Sequence, residues 1–273
     1  MEAIAQAQTI NQIIEQLEAI IADAIKTDSR AGYFAALYHK VTCKVREGIQ
    51  NGEFENPARM EQLDVIFANR YITAYQSWQQ KQPCSNSWQL AFSIFSKPSR
   101  LVLQHLLIGM NAHINLDLGI AVVELARKLN QPLTEVHNDF NSNNTILSAL
   151  TYEVISELNQ ISPLLSLAGL HAQNNSILIQ FALGNARDGA WCFAEDLFTR
   201  TGEDYPKQIV SRDNDINKLG LGIVNPVGML RFTVWVIHLF EKRDPSKITQ
   251  ILSTYKKTYL KVNQIKTTIK TSV

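Results

Sequence analysis

The sequence predicts an all-α protein, a multi-helix bundle packed around one long buried helix. Apolar residues recur at the three- and four-residue spacing of helices along nearly the whole chain. No segment alternates apolar and polar residues between hairpin turns, and capping residues precede many of the apolar stripes. With 273 residues, of which 45% are hydrophobic and only 19% charged, we expect a single domain over residues 1–273 with some helices buried on all sides.

Four helices are predicted in the first third of the chain. Thr9 can cap a helix with a stripe of isoleucines and leucines, and residues 29–51 show a second stripe. The dipeptide Asn56-Pro57 is a typical helix start and predicts a third helix, to about residue 81. A short fourth helix is predicted at residues 88–95.

The most informative helix is predicted over residues 99–130. Between Arg100 and Arg127 it contains no Lys or Arg, and its only carboxylates are Asp117 and Glu124. Such a helix is about 45 Å long, and we expect it to be the buried centre of the bundle. Several other polar residues interrupt it, and an unpaired buried polar group costs about 1–3 kcal/mol. The central helix therefore needs polar partners on its neighbours.

The C-terminal third contains further helices and an uneven charge. One helix is predicted to start between residues 134 and 145 and to end at about residue 162. Further helices are predicted over residues 177–200, 205–219, 226–242 and 246–270. From Pro245 to Val273 there are six Lys and no Asp or Glu, although the whole chain carries only +1. We expect a basic amphipathic helix docked on the bundle, or else a peripheral contact with an acidic partner or membrane surface. Its stripe is Ile248, Leu252, Tyr255, Tyr259 and Val262.

Composition argues against several classes of protein. The nearly neutral charge does not suit a nucleic-acid-binding surface, and the three cysteines are too far apart to suggest disulfides or a zinc site. The N-terminus lacks the basic start and apolar core of a signal peptide, and the apolar stretch at 227–240 is too short to span a bilayer. We expect a cytoplasmic protein with no transmembrane segment and no nucleic-acid partner; the oligomeric state stays open.

Counting 100° per residue places several polar side chains on core-facing stripes. His113 and Asp117 are one helical turn apart on the central helix. Asn111 and Asn115 form a second such pair, about 160° away, so the two pairs should face different neighbours. The predicted inward-facing residues are Asp64, Asn111, His113, Asp117, Asp139 and Asn143.

Our leading hypothesis is an enzyme that acts on a small, largely apolar molecule in a cavity of the bundle. Burial raises the pKa of carboxyl groups toward neutrality, which suits acid–base catalysis. The candidate catalytic residues are His113, Asp117, Asp64 and Asp139, which come from three predicted helices and should converge on one interior site. Inward side chains from several helices also build metal sites. The candidate ligands of a divalent metal (Mg, Mn, Fe or Zn) are Asp117, Asp139 and His113. The candidate ligand-contacting residues are Asn111, Asn143, Tyr38, Tyr71, Arg187 and Trp191.

Other interpretations stay open, because the sequence contains no HExxH, Glu-x-x-His or DDxxD motif. The chain can be a non-enzymatic binding protein for an apolar ligand, or a scaffold without a ligand. A metal-dependent hydrolase or lyase is the most plausible reaction class, and a divergent terpene-cyclase-like lyase would use Asp117, Asp139, Asn143 and Arg187. His113 and Asp117 can also be a structural pair, and Asp64 can form a buried ion pair with Arg70 or Arg100. If the pair serves a site, we expect Asp117→Asn to keep stability and abolish binding.

Four segments recur in a known family. They are GYFAALYHKVT (32–42), MEQLDVIFANRYITA (60–74), QHLLIGMNAHINLDL (104–118) and DFNSNN (139–144). With these segments, the first two-thirds of the chain resembles a bacterial family of helical proteins, the domain of unknown function 5995. The resemblance implies a shared helical fold and no particular activity. The segments contain the same inward-facing polar residues that the helical counting selects.

Overall fold

The computed structural model describes residues 6–165 and 183–254, without the side chains of residues 143–149, 151–152 and 183. The regular structure in these ranges is helical throughout, with no strand, so the predicted all-α class is confirmed. The α-helices are α1 (Ile10–Lys26), α2 (Gly32–Gln50), α3 (Pro57–Gln79), α4 (Asn86–Ser93), α5 (Val102–Ala112), α6 (Gly119–Leu129), α7 (Thr134–Ile161), α8 (Leu183–Phe198), α9 (Asp204–Val224), α10 (Gly228–Phe240) and α11 (Pro245–Ser253). A 3₁₀ turn follows α4 at Ile94–Ser96.

Several helices begin where a side chain supplies the missing hydrogen-bond acceptor. Thr9 accepts from the backbone N–H of Gln12, as its position before the first stripe predicts. Asn56 caps α3 in the same way, with Pro57 as the first helical residue. Ser85 caps α4, and Asp244 caps α11. These local contacts fix the starts of four helices without help from the rest of the fold.

The central helix is confirmed as one continuous element, Val102–Leu129. A π-helical segment at His113–Leu118 joins α5 to α6. The α5 half packs against α2, α4, α7 and α9, α6 packs against α3 and α8, and the π segment contacts α3, α8 and α9. The helix starts at Val102 rather than near Ser99 because the Gln104 side chain accepts the backbone N–H of Leu101, at 3.0 Å.

Hydropathy singles out this helix as well. Among the described residues it is the one continuous helix that is long and apolar enough to cross a membrane, but 89% of its most apolar window is buried inside the structure. Helices α9 and α10 meet the same criterion only when taken together, and they are bent by 62° relative to each other. The burial of the central helix in the core accounts for its length and apolar composition.

The predicted C-terminal helix is observed in part. Helix α11 ends at Ser253, and Ile248 and Leu252 of the predicted stripe are 1% exposed. It packs against α1, α2 and α7. Tyr255, Tyr259 and Val262 lie outside the described residues, as does the predicted helical segment at 177–182.

Candidate functional site

The His113–Asp117 pair lies in the π segment of the central helix, and both residues are 2% exposed. A π turn has one residue more than an α turn, and such segments are frequent at functional sites. His113 Nδ1 lies 3.3 Å from Asp117 Oδ2. The predicted inward position and contact of the pair are therefore confirmed.

Asp117 accepts hydrogen bonds from three different elements. Arg70 Nε of α3 donates to Oδ1 at 3.0 Å, and Trp88 Nε1 of α4 donates to Oδ2 at 2.8 Å. Burial acts to raise the pKa of Asp117, but the charge of Arg70, the hydrogen bonds from His113 and Trp88 and the charge of His113 outweigh it, so the pKa is lowered. The carboxyl group is therefore an anion at neutral pH.

An anionic Asp117 determines the protonation of its histidine partner. A carboxylate only accepts hydrogen bonds, so Nδ1 of His113 must carry the proton. Burial lowers the pKa of His113 although Asp117 opposes this shift, and the neutral imidazole then has a free lone pair on Nε2. Nε2 has no hydrogen-bond partner within the described part of the chain. The geometry thus presents an oriented, neutral base.

Five aromatic side chains surround the imidazole and form what we call the aromatic box. The His113 ring is stacked on Phe67 with 3.6 Å between ring centroids and an interplanar angle of 5°. Tyr38 meets it edge-on at 4.5 Å. The other members lie between 5.9 and 6.2 Å away. The box consists of Phe34, Tyr38, Phe67, Tyr71 and Trp88.

Three more polar atoms near the box lack partners among the described residues: Tyr38 Oη, Tyr71 Oη and Asp64 Oδ2. Asp64 is 4% exposed, as its position on the aromatic stripe predicts. Burial, reinforced by the charge of Glu61, raises its pKa to about 7. Burial also raises the pKa of Tyr38, and the negative charges of Asp64 and Asp117 raise it further. The two tyrosine hydroxyls are therefore protonated at neutral pH, and Asp64 is about half protonated near pH 7.

The ion pair suggested for Asp64 is wrong. Arg70 binds Asp117 and, through Nη1, Glu124 at 3.1 Å. Arg100 donates to the side chain of Asn225, at 2.9 Å. Both arginines point to other partners, so Asp64 is a buried carboxyl group with no cation beside it among residues 6–165 and 183–254.

A cleft of about 420 Å³ opens beside the pair. Arg70, Trp88, Asp117 and Glu124 form part of its wall, and most of the other side chains there are also polar. Its lining comprises Gln6, Ile66, Asn69, Arg70, Thr73, Ala74, Ser77, Pro83, Cys84, Ser85, Trp88, Asp117 and Glu124. Asp117 and Trp88 belong to both the cleft and the surroundings of His113, so they connect the surface to the buried imidazole.

Sequence reasoning did not assign Arg70, Trp88 and Glu124 to the site. One signal was available, since Glu124 is the second of only two carboxylates within the central helix. Trp88 and Arg70 gave no comparable signal, because an isolated tryptophan or arginine on a helix is most often a packing or surface residue.

Asp139 lies in a different hydrogen-bond network. Its Oδ2 binds Nε and Nη2 of Arg59 at 2.9 and 2.8 Å, and its Oδ1 accepts the backbone N–H of Asn56 at 3.2 Å. The residue joins α7 to the start of α3 and has both oxygens occupied. The prediction that Asp139 joins His113 and Asp117 in one site is therefore not supported. Nor does the described part of the chain contain a group of three or more His, Cys, Asp or Glu residues arranged to hold a metal.

The second asparagine pair faces a different helix, as the helical counting predicts. Asn111 donates to the backbone carbonyl of Ile216 at 2.9 Å and accepts from Asn115 at 3.0 Å. The pair thus links the central helix to α9. We interpret Asn111 as a structural residue rather than a ligand contact.

Arg187 and Trp191 of α8 contact α7 instead of the cleft. The guanidinium of Arg187 lies 4.3 Å from the centre of the Phe140 ring and donates to the Phe140 carbonyl. Trp191 packs on His137 at 4.4 Å. The side chain of Asn143 lies outside the described residues. The set proposed for a terpene-cyclase-like lyase is therefore not brought together in the described part of the chain.

Comparison with known proteins gives one match. A family described as "Family of unknown function (DUF5995)" matches residues 10–226. No curated protein and no solved structure matches the chain. The family match contains the whole cleft lining except Gln6.

Proposed function

Because the chain belongs to this family of unknown function (DUF5995), we propose a function from the geometry of the cleft. The protein is an enzyme that binds a small polar molecule in the cleft, and the His113–Asp117 pair is its acid–base group. The observation behind this proposal is that Asp117 both lines the cleft and orients a buried, neutral histidine.

Each side chain has a defined role. Arg70 and Trp88 keep Asp117 ionised and fixed in position. Asp117 holds the proton on Nδ1 of His113, so Nε2 accepts a proton from the substrate, and the carboxylate stabilises the imidazolium that forms. Trp88 belongs both to the cleft lining and to the aromatic box, with its ring 5.9 Å from the imidazole. In this proposal a substrate reaches Nε2 past the Trp88 ring, the member of the box that also lines the cleft.

Unpaired buried groups support a functional reading of the box. Folded proteins satisfy about nine in ten buried polar atoms, yet Tyr38, Asp64, Tyr71 and His113 each have one that is unsatisfied by described residues. Stability alone would favour apolar side chains at these positions. Polar groups that are kept although they lower the stability of the fold are typical of functional sites.

The lining favours a polar substrate over the largely apolar one expected from the sequence. Asp117 and Glu124 outnumber Arg70, and hydroxyl and amide side chains surround them. Such groups suit a small molecule with amino or hydroxyl donors, because carboxylates accept charge-assisted hydrogen bonds.

Ligand binding can be measured by thermal shift with ethanolamine, choline, glycerol, acetate and inorganic phosphate as probes. We expect amino or hydroxyl compounds to raise the melting temperature of the wild type, and to do so less for Glu124→Gln. The matched control is Glu203→Gln, an exposed carboxylate outside the cleft that pairs with Lys207 at 3.2 Å. Equal stabilisation of both variants would place the binding site elsewhere.

A non-enzymatic binding protein is the second candidate, because the His113 ring is stacked on Phe67 and does not itself line the cleft. His113→Gln separates the two. Each compound that binds is incubated with the protein, and the mass of the compound is followed over time by mass spectrometry. For an enzyme, the wild type converts a bound compound, and the variant binds it without conversion. For a binding protein, neither converts it.

A further inference from the structure

Helix α10 is apolar on both sides. Val234 and Ile237 face inward and are buried. On the opposite side, Phe232, Trp235 and Leu239 are 59%, 55% and 46% exposed. At 100° per residue these three fall within an arc of about 60°. A helix that is apolar all round is normally covered on every side.

The exposed apolar residues are concentrated in one region. All nine large apolar side chains that are exposed in the described residues lie between positions 210 and 240. Six of them form what we call the α10 face: Val227, Met229, Phe232, Trp235, Leu239 and Phe240. Scattered exposed apolar residues are ordinary, but a contiguous patch marks an interaction surface.

Basic residues predominate around the α10 face, although Asp244 follows Arg243 and pairs with Lys247. Between Asp215 and Glu241 the sequence has no acidic residue, whereas Arg231, Lys242 and Arg243 are exposed. Glu241 itself is 7% exposed and accepts the backbone N–H of Val102, so it turns inward.

We propose that the α10 face is a docking surface for a membrane that carries anionic lipids. Phe, Trp and Leu on one side of a helix with Arg and Lys at its margins are the features of a helix that lies in the membrane interface. A 13-residue helix is about 20 Å long, enough to lie in the interface and too short to cross it. A second copy of the chain would present the same basic margins and be repelled.

This surface is independent of the function proposed for the cleft, because no residue that lines the cleft belongs to α9 or α10. Its role is to bring the protein to a lipid surface. A failure of the membrane test therefore leaves the cleft proposal intact, and the reverse also holds.

The test is flotation of the full chain with vesicles of phosphatidylcholine alone and of phosphatidylcholine with phosphatidylserine. We expect binding to the anionic vesicles only. The double substitution Phe232→Ser/Trp235→Ser should weaken it about tenfold or more, because two large side chains no longer leave water. Arg231→Glu should weaken it about fivefold or more. Val210→Ser and Lys128→Glu, which change exposed residues outside the face, should bind as the wild type does.

Fluorescence of Trp235 provides a second measurement that does not depend on the double variant. Anionic vesicles should shift the emission of the wild type to shorter wavelength, and Trp235→Phe should show no shift. The proposal is overturned if the wild type does not bind anionic vesicles, or if the double variant binds as tightly as the wild type. It is also overturned if the wild type is a dimer that the same substitutions make monomeric, because a second copy then covers the face.

Discussion

Asp64→Asn tests whether the buried carboxyl group of Asp64, near the aromatic box, lowers the stability of the fold when it ionises. The carboxyl pKa rises from 3.8 to about 7 on folding because burial, reinforced by the charge of Glu61, disfavours the ionised group. Between these two pKa values the folded state holds a proton that the unfolded state releases, so the free energy of unfolding falls as pH rises through this window. Above about pH 7 the loss is complete and reaches about 4 kcal/mol.

The substitution removes this loss. At about pH 5 the carboxyl group costs the folded state about 1.5 kcal/mol, and at about pH 8 about 4 kcal/mol. A buried amide with few partners costs about 2 kcal/mol at either pH. The neutral carboxyl group has a similar burial cost, so Asp64→Asn should be about 1.5 kcal/mol more stable than wild type at the lower pH and about 4 kcal/mol more stable at the higher pH. Glu241, whose pKa burial also raises to about 7, is present in both proteins and cancels in the comparison.

The measurement is urea unfolding of wild type and variant across this pH range. Asp23→Asn is the matched control, because Asp23 is exposed on α1 and its substitution should change stability by less than about 0.5 kcal/mol. The reasoning is refuted if the difference between Asp64→Asn and wild type does not grow with pH. A constant difference would mean that Asp64 is ionised in the folded protein and has a partner.

Three further predictions concern stability. Asp139→Asn should lower the free energy of unfolding by about 3 kcal/mol, because it neutralises the closest carboxylate of a buried arginine and leaves, among the described residues, only Glu55 and Glu135, both at 3.9 Å. A loss below about 1 kcal/mol in urea unfolding would contradict this. For Asp117→Asn, the structure revises the expectation from the sequence, because three hydrogen-bond donors face this carboxylate. The new amide group would have to point its own N–H groups at one of these donors. Thermal unfolding should therefore show a loss of stability of about 3 kcal/mol. A melting temperature equal to that of the wild type would restore the original expectation. Gly119→Ala should cost about 1–3 kcal/mol, because a Cβ there would lie 2.8 Å from the carbonyl oxygen of Ala190. Gly184→Ala, with nothing within 4 Å of its Cβ, is the control and should not destabilise the fold.

The starts of the helices and the sides on which polar residues lie could be predicted from the sequence. Capping by Thr9 and Asn56 depends on contacts within one helical turn. The inward positions of Asp64, His113 and Asp117 follow from a fixed rotation of 100° per residue. The same rotation separates the two polar pairs of the central helix. These features are local, so the spacing of residue types is sufficient to find them.

The tertiary structure decided which inward polar groups meet. Asp139 and Asp117 look alike on their stripes, yet one binds Arg59 and the other Arg70. Trp88 joins the site from a short helix far along the chain from both His113 and Arg70. The choice of partner depends on how the helices pack, which brings together residues with no fixed spacing in sequence. Periodicity tells which way a side chain points, but only the packing of the helices determines what it touches.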